Sequence, residues 1–316
     1  MELDLLKKIG GFIKEFIGII ASIITIVALF QKNYKVAVIL SVFLVFIFFI
    51  LLLIPLIQVF RINRAENRIR IEVYKSEIKL GNKIHKFYHK LRDYSTNSNM
   101  NNYSNINELK KSCDILCASI SEIMEQVFKR VLEDNTISTC VKIVNSDSLL
   151  DSSYENWMIE TFGRSPSTNP ERTSHDNEKV SLKDNTDFLA IVMNKDKFMC
   201  FYDMSDIYET FRNNYDLEYR NSRGKDFIKY YKSCIIVPIE IDGNQVSDEI
   251  KNSIPGIKNK KLILGFLCID SMKVFNTEEE LSHFKIAIEM AKALGDSLYI
   301  FLEKVLITQI RCKNIE

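Results

Sequence analysis

The sequence predicts an α+β protein: a largely antiparallel sheet flanked by N- and C-terminal helices, preceded by a two-helix transmembrane hairpin and a helical stalk. Three observations predict it. Residues 36–60 form an uncharged run of 25 residues, VAVILSVFLVFIFFILLLIPLIQVF. Five short β-branched or aromatic segments follow residue 138. Amphipathic helical patterns open and close that strand-rich region, an order that suits an α+β domain.

The hairpin comes first in the chain. At ~1.5 Å per residue the 36–60 run is roughly 37 Å of helix, enough to cross a ~30 Å hydrocarbon core with some tilt. An earlier span is expected at 12–30, with Lys14 snorkelling toward the headgroups. A cleaved signal peptide would also have a basic start and an apolar middle, but no A-x-A-like site follows and the second span begins almost at once. Lys7, Lys8 and Lys14 precede the first span, and Arg61, Arg64, Arg68 and Arg70 follow the second. Only Lys32 and Lys35 oppose them from the turn, so the positive-inside bias puts both termini in the cytoplasm of a multi-pass membrane protein. The arginine cluster also suits anionic headgroups of the lipid bilayer.

Residues 61–93 read as a helical stalk. Ile62, Ile69, Val73, Leu80, Ile84, Phe87 and Leu91 draw one apolar stripe that would form a weak parallel coiled coil, hence a homodimer or higher oligomer. His85 and His89, four apart, lack a third ligand for a metal and read as solvated. The Asn- and Ser-rich run at 94–107 reads as a flexible linker. A folded domain is expected over 108–310. It should open with an amphipathic helix from Leu109 to about Asp134. Strands are predicted at 139–144, 188–193, 198–202, 233–241 and 262–270, with a helical segment around 205–214 and a long polar loop over 145–187. Thr277 and Glu280 make a T-x-x-E capping box at the start of the closing helix.

The runs KSCIIVPIEIDG, KLILGFLCIDS and FNTEEELSHFKIAIEMAKALGDSL resemble the C-terminal half of a GAF domain. In that family a strand with a V-P motif precedes a strand reading roughly I-G-x-L-x-x-D and then the closing helix. Val237 and Pro238, and Gly265 through Asp270, stand at the matching positions. The segment NTDFLAIV, 185–192, resembles the central strand of some bacterial GAF-like modules, and the likeness runs from about Leu109 to Val305. Residues 244–261 replace the usual short turn between the last two strands. The N-K-F-D-E signature of cyclic-nucleotide GAF domains is missing, and no cysteine stands in a bilin-attachment context. The resemblance implies a small-molecule sensor, a dimerisation module or a spacer, and fold analogy does not choose among them.

Composition and motifs exclude more than they assign. With 42 basic and 41 acidic side chains, nothing draws the whole chain to nucleic acid. There is no HExxH, Walker loop, G-x-S-x-G, kinase signature or dinucleotide fingerprint, so neither an enzyme nor a cofactor is expected. Asp203, Asp206 and Glu209 suit a helix N-terminus as well as any acid–base set. The seven cysteines include no CxxC and read as buried thiols in a reducing compartment. In GAF-like folds the segment matching 203–233 caps the concave sheet face, and here it interleaves aromatic and basic residues. Aromatic faces can stack on a ring while guanidinium groups grip phosphate or carboxylate. Tyr208, Tyr219, Arg220, Arg223 and Lys232 are therefore the candidate ligand contacts, with Asn185 and Thr186 at the sheet edge. Packing and surface charge explain the same pattern. Two outputs stay open: a membrane-anchored sensor that docks a protein partner, or a ligand-gated membrane effector of the antiviral-defence type that permeabilises the bilayer. Spans with only Ser22, Thr25 and Ser41 as hydroxyls and no internal charge favour the sensor, because a hydrated pore is normally more polar.

Overall fold

A computed structural model describes residues 103–145, 148–150, 153–166, 170–173, 178–253 and 261–313, together with isolated helical residues between 18 and 89. Contacts divide the chain into two units, 1–71 and 72–316. In the first, Val42, Phe43, Phe46, Leu53 and Ile57 are helical and at least half exposed. Ser22 donates to the Gly18 carbonyl oxygen at 2.8 Å, so its hydroxyl is satisfied within its own helix. Among the described residues no helix is long and apolar enough to cross a membrane; most of both expected spans, the stalk stripe and residues 94–102 of the expected linker lie outside them.

The first continuously described helix of the second unit is α1, Tyr103–Val131, which begins inside the polar run read as a linker. Its buried side chains, Leu116, Cys117, Ile120, Met124, Val127, Phe128 and Val131, recur at three- and four-residue spacing and form one face. Strand β1, Ser138–Val144, follows, then β2, Met158–Arg164, a single-turn helix α2, Pro170–Thr173, and a two-residue strand β3, Val180–Ser181. The stretch expected as one long polar loop therefore carries two strands. MIETFGR hid its strand because its apolar residues, Met158, Ile159 and Phe162, do not alternate and two of the seven are charged.

Helix α3 is Thr186–Val192. The expected strand at 188–193, and the family likeness placed on it, are corrected here. A short apolar run fits a buried helix as well as a buried strand, and all seven residues of α3 are buried. With side chains covered on every side, periodicity gave no way to choose. Strand β4, Met199–Phe201, and helix α4, Ile207–Tyr215, come next, then β5, Ser233–Asp242. The inserted stretch after it holds a further helix, α5, Asp248–Ser253, whose Ile250 is fully buried. Strand β6, Lys261–Ser271, and helix α6, Glu278–Lys313, complete the unit.

The sheet is antiparallel at every pairing, in the order β3-β2-β1-β6-β5-β4. The last strand is thus central, and ten of its eleven residues are buried. α1 packs on β1 and β2, α6 packs on β5 and β6, and the two helices touch. Strand alternation gives the opposite face to the other side chains. On β6, a Cβ at Gly265 would meet Leu302 of α6, whereas its neighbour Phe266 packs on Phe188 of α3, ring centroids 4.7 Å apart.

The capping box forms as its spacing predicts. The Thr277 Oγ1 accepts from the Glu280 N–H at 3.2 Å, and Glu280 Oε2 accepts from the Thr277 N–H at 3.1 Å. Thr277→Ala should remove about 1 kcal/mol of stability, the usual worth of such a cap. The single tryptophan, Trp157, is buried beside the sheet, so its emission in a thermal melt reads the loss. An unchanged midpoint would mean that the cap does not hold the helix start.

Candidate functional site

A cavity of about 350 Å³ opens on the sheet face away from α1 and α6. Alternation along three neighbouring strands builds its floor: Cys140 and Lys142 on β1, Cys268 and Asp270 on β6, Cys234 and Ile236 on β5. Thr161 and Arg164 of β2 form one wall, and Asn185, Asp187 and Phe188 around the start of α3 form another. The cover is Asn221, Ser222, Arg223, Asp226, Tyr230 and Tyr231. That segment lies within the stretch expected to cap the sheet.

The cover is pinned by polar contacts that leave little freedom. Asn185 Oδ1 accepts from the Ser222 N–H at 3.2 Å, and its Nδ2 donates to the Ser181 carbonyl at 3.3 Å. Thr186 and Arg220 exchange bonds: the Thr186 N–H donates to the Arg220 carbonyl at 3.1 Å and Thr186 Oγ1 accepts from the Arg220 N–H at 2.9 Å. Asn221 Nδ2 donates to the Tyr231 hydroxyl at 2.7 Å while its Oδ1 accepts from the Arg223 N–H at 3.1 Å. The Arg223 guanidinium lies 4.7 Å from the Tyr230 ring centroid, a cation–π distance.

Of the seven candidate contacts, the structure brings Asn185 and Arg223 to the cavity. The other five stand elsewhere. Tyr219 is buried among Phe211 and Phe227, with centroids 4.9 and 5.4 Å away, and Tyr208 meets its ring edge-on at 5.5 Å. Their aromatic faces hold the cover together. Thr186 acts through the backbone of Arg220, whose own guanidinium pairs with Glu218 at 2.8 Å in solvent. Lys232 is exposed, and its N–H closes on the Ser271 carbonyl at 2.7 Å. The sheet edge is also the wrong place for Asn185 and Thr186, which begin α3.

The sequence reading passed over Cys140, Lys142, Arg164, Asp187, Cys268 and Asp270. A signal was there: within TCVKIV and LCID, Cys140 with Lys142 and Cys268 with Asp270 are two apart, so each pair shares a face. Which face meets a cavity depends on the helices behind the sheet.

The floor is electrostatically mixed. Lys142 Nζ bonds Thr161 Oγ1 at 3.1 Å. Burial pushes the Asp187 carboxyl up to about 7, and Asp270 adds to the rise; the Phe188 N–H, donating at 2.9 Å, and Lys142 oppose it. Cys140 and Cys268 are direct partners in the β1–β6 register. The adjacent Cys268 thiol lowers the Cys140 thiol, Arg164 and Lys142 lower it further, and burial and Asp270 oppose them. Cys268 is correspondingly raised. Among the described residues no three His, Cys, Asp or Glu side chains converge on a metal position. The exposed His85 and His89 bring their Nε2 atoms to 2.9 Å of each other.

No protein-family model matches the sequence, and neither does any curated protein. Three solved structures show what the chain is similar to in shape. The GAF domain of an Acinetobacter phosphoenolpyruvate-protein phosphotransferase aligns at 12% identity over 58% of this chain and 84% of that one, TM-score 0.28. The Thermosynechococcus elongatus PixJ GAF domain, in its blue-light absorbing form, aligns at 9% over 62% and 90%, TM-score 0.30. A GAF sensor protein described as putative, from Burkholderia vietnamiensis, aligns at 10% over 61% and 94%, TM-score 0.29. Val237 and Pro238 lie on β5, and Gly265 through Asp270 lie on the adjacent β6, immediately before the closing helix. The domain has an α+β fold, an antiparallel six-stranded sheet with helices packed on it. Of these motif residues, Cys268 and Asp270 line the cavity floor.

Proposed function

We propose that the GAF-like domain is a sensor for a small zwitterionic molecule, held at a membrane by residues 1–60. The observation that carries the ligand class is the lining of the cavity: Lys142, Arg164 and Arg223 stand with Glu178, Asp187, Asp226 and Asp270 around one space. A purely anionic ligand would meet the carboxylates, and a purely cationic one the guanidinium groups. A molecule with a carboxylate and an ammonium a few bonds apart satisfies both, as charge-assisted bonds require. A volume near 350 Å³ is at the small end of ligand sites, in keeping with an amino-acid-sized guest.

The tether rests on the uncharged run at 36–60 and on the exposed apolar side chains of Val42, Phe43, Phe46, Leu53 and Ile57, for which lipid is the natural cover. With the arginines after Phe60 held at anionic headgroups, the domain would face the cytoplasm. Output would pass to a protein partner or through a second copy of the chain.

Thermal melts of the full chain in detergent, followed by Trp157 emission, test the ligand class with a panel of free amino acids, cyclic nucleotides and dicarboxylates. One or more amino acids should raise the midpoint. Arg164→Gln should weaken that binding about 10- to 100-fold, the worth of a charge-assisted bond. A shift given only by the dicarboxylates or nucleotides, or one that Arg164→Gln leaves unchanged, would refute the zwitterion reading. Membranes washed with alkaline carbonate should retain the chain, and release into the wash would remove the tether. Dye leakage from liposomes carrying the protein and a stabilising amino acid would make the spans an effector.

A further inference from the structure

We propose that Cys140 and Cys268 are a redox site in the cavity floor, closing to a reversible cross-strand disulfide when a small hydroperoxide enters the cavity. The register carries this. The two residues are directly opposed on antiparallel strands. Directly opposed Cα atoms on such strands lie about 4.5–5.5 Å apart, inside the roughly 4.4–6.8 Å that a disulfide spans. Both side chains lie on the cavity face of the sheet, so the pair can close without any backbone movement between distant elements. Both are free thiols, buried from bulk solvent, yet both line the cavity, which gives a small oxidant its route.

Register separates this pair from Cys234, which also lines the cavity but stands opposite Asp270 rather than a thiol. Lys142 and Arg164 line the same cavity and favour a thiolate at Cys140. Cys200, on β4, is half-buried, and burial raises its thiol, so it serves as an internal reference for an unactivated cysteine. Cys117 is buried on the other side of the sheet, against Gly163 of β2.

The steps balance as follows. The Cys140 sulfur attacks the hydroperoxide, forming an S–O bond as the O–O bond breaks, and the Cys140 proton leaves with the alcohol, or with water when hydrogen peroxide is the oxidant. The Cys268 sulfur then attacks the sulfenic sulfur; the S–S bond forms, the S–O bond breaks, and the Cys268 proton leaves with the hydroxide as water. Two electrons pass from the dithiol to the peroxide in one stoichiometric event. The chemistry needs no zwitterion in the cavity, and it would reshape the floor on which one binds.

Full-length protein in detergent is treated with hydrogen peroxide, then alkylated and mapped by peptide mass spectrometry. The expected product is a peptide linking Cys140 to Cys268, lighter by two hydrogens and restored by dithiothreitol. It should form at least about tenfold faster than oxidation of Cys200 at neutral pH. Cys268→Ser should stop the reaction at a sulfenic acid on Cys140, which dimedone captures, and Cys140→Ser should leave Cys268 alkylatable. Wild-type mapping decides the matter alone if either variant fails to fold. Oxidation of Cys200 while Cys140 and Cys268 both remain alkylatable would overturn the proposal, as would a disulfide map that joins either of them to another cysteine.

Discussion

Gly265→Ala should abolish or severely weaken folding of the second unit. A Cβ at that position would lie 2.2 Å from the Lys142 carbonyl oxygen, 3.2 Å from the Ile143 Cα and 3.2 Å from Leu302 Cδ1. The first two obstacles are backbone atoms of β1, which a rotamer change cannot move. Gly265 is also the residue where β6 faces Ile143 of β1 and Ile239 of β5, so the central strand has no free side to yield toward. Overpacking against side chains costs about 1–3 kcal/mol, and a clash with backbone in the central strand should exceed that. For a domain of this size the midpoint should fall by about 6–12 °C, or the chain should not accumulate folded at all. Gly163→Ala tests the same physics between β2 and α1, where the Cβ would meet Cys117 backbone carbon at 2.3 Å. If Trp157 emission gives the wild-type melting curve for Gly265→Ala, the close approach of β1 and β6 is wrong.

The second large effect is a pH dependence centred on Asp187. Its carboxyl is raised from an ordinary 3.8 to about 7, with burial the largest cause. A folded-state value above the unfolded one means that the fold prefers the protonated form. The stabilisation is therefore complete below about pH 4 and is lost as pH rises through about 7. At ~1.4 kcal/mol per tenfold change the ceiling is about 4 kcal/mol, and water inside the cavity lowers it. Asp187→Asn keeps an oxygen for the Phe188 N–H and removes the titration. Urea titrations at a series of pH values should show wild type losing stability from about pH 4 to 7 relative to the variant. Parallel profiles would place Asp187 in contact with bulk water. An ammonium-bearing guest should reverse part of this, since its charge favours the carboxylate; its affinity should then rise with pH over the same window.

Asp187 also shows how chemistry and environment separate. Nothing in NTDFLAIV distinguishes it from an ordinary aspartate, and the run itself suggested a strand. Its perturbation arises because α3 is covered on every side and because Lys142 and Asp270 arrive from strands far away in sequence. The aromatic and basic residues of 203–233 teach the complementary lesson. Their spacing is legible, and the segment does cover the cavity. Tyr208 and Tyr219 nevertheless spend their rings on each other and on Phe227, and Arg220 turns to Glu218. Local spacing sets which residues can share a face, while neighbouring elements set which face is buried.

Patterns short in range were readable from the chain alone: the uncharged run at 36–60, the amphipathic face of α1, the T-x-x-E cap of α6, and β1, β5 and β6. Each depends on interactions within a few residues or on a uniform environment. Tertiary structure alone decided that 186–192 is a helix, that β6 lies between β1 and β5, and that Cys140 opposes Cys268. Those outcomes depend on strand order and on what packs behind each strand, and residues separated by more than a hundred positions carry no local pattern that announces their meeting.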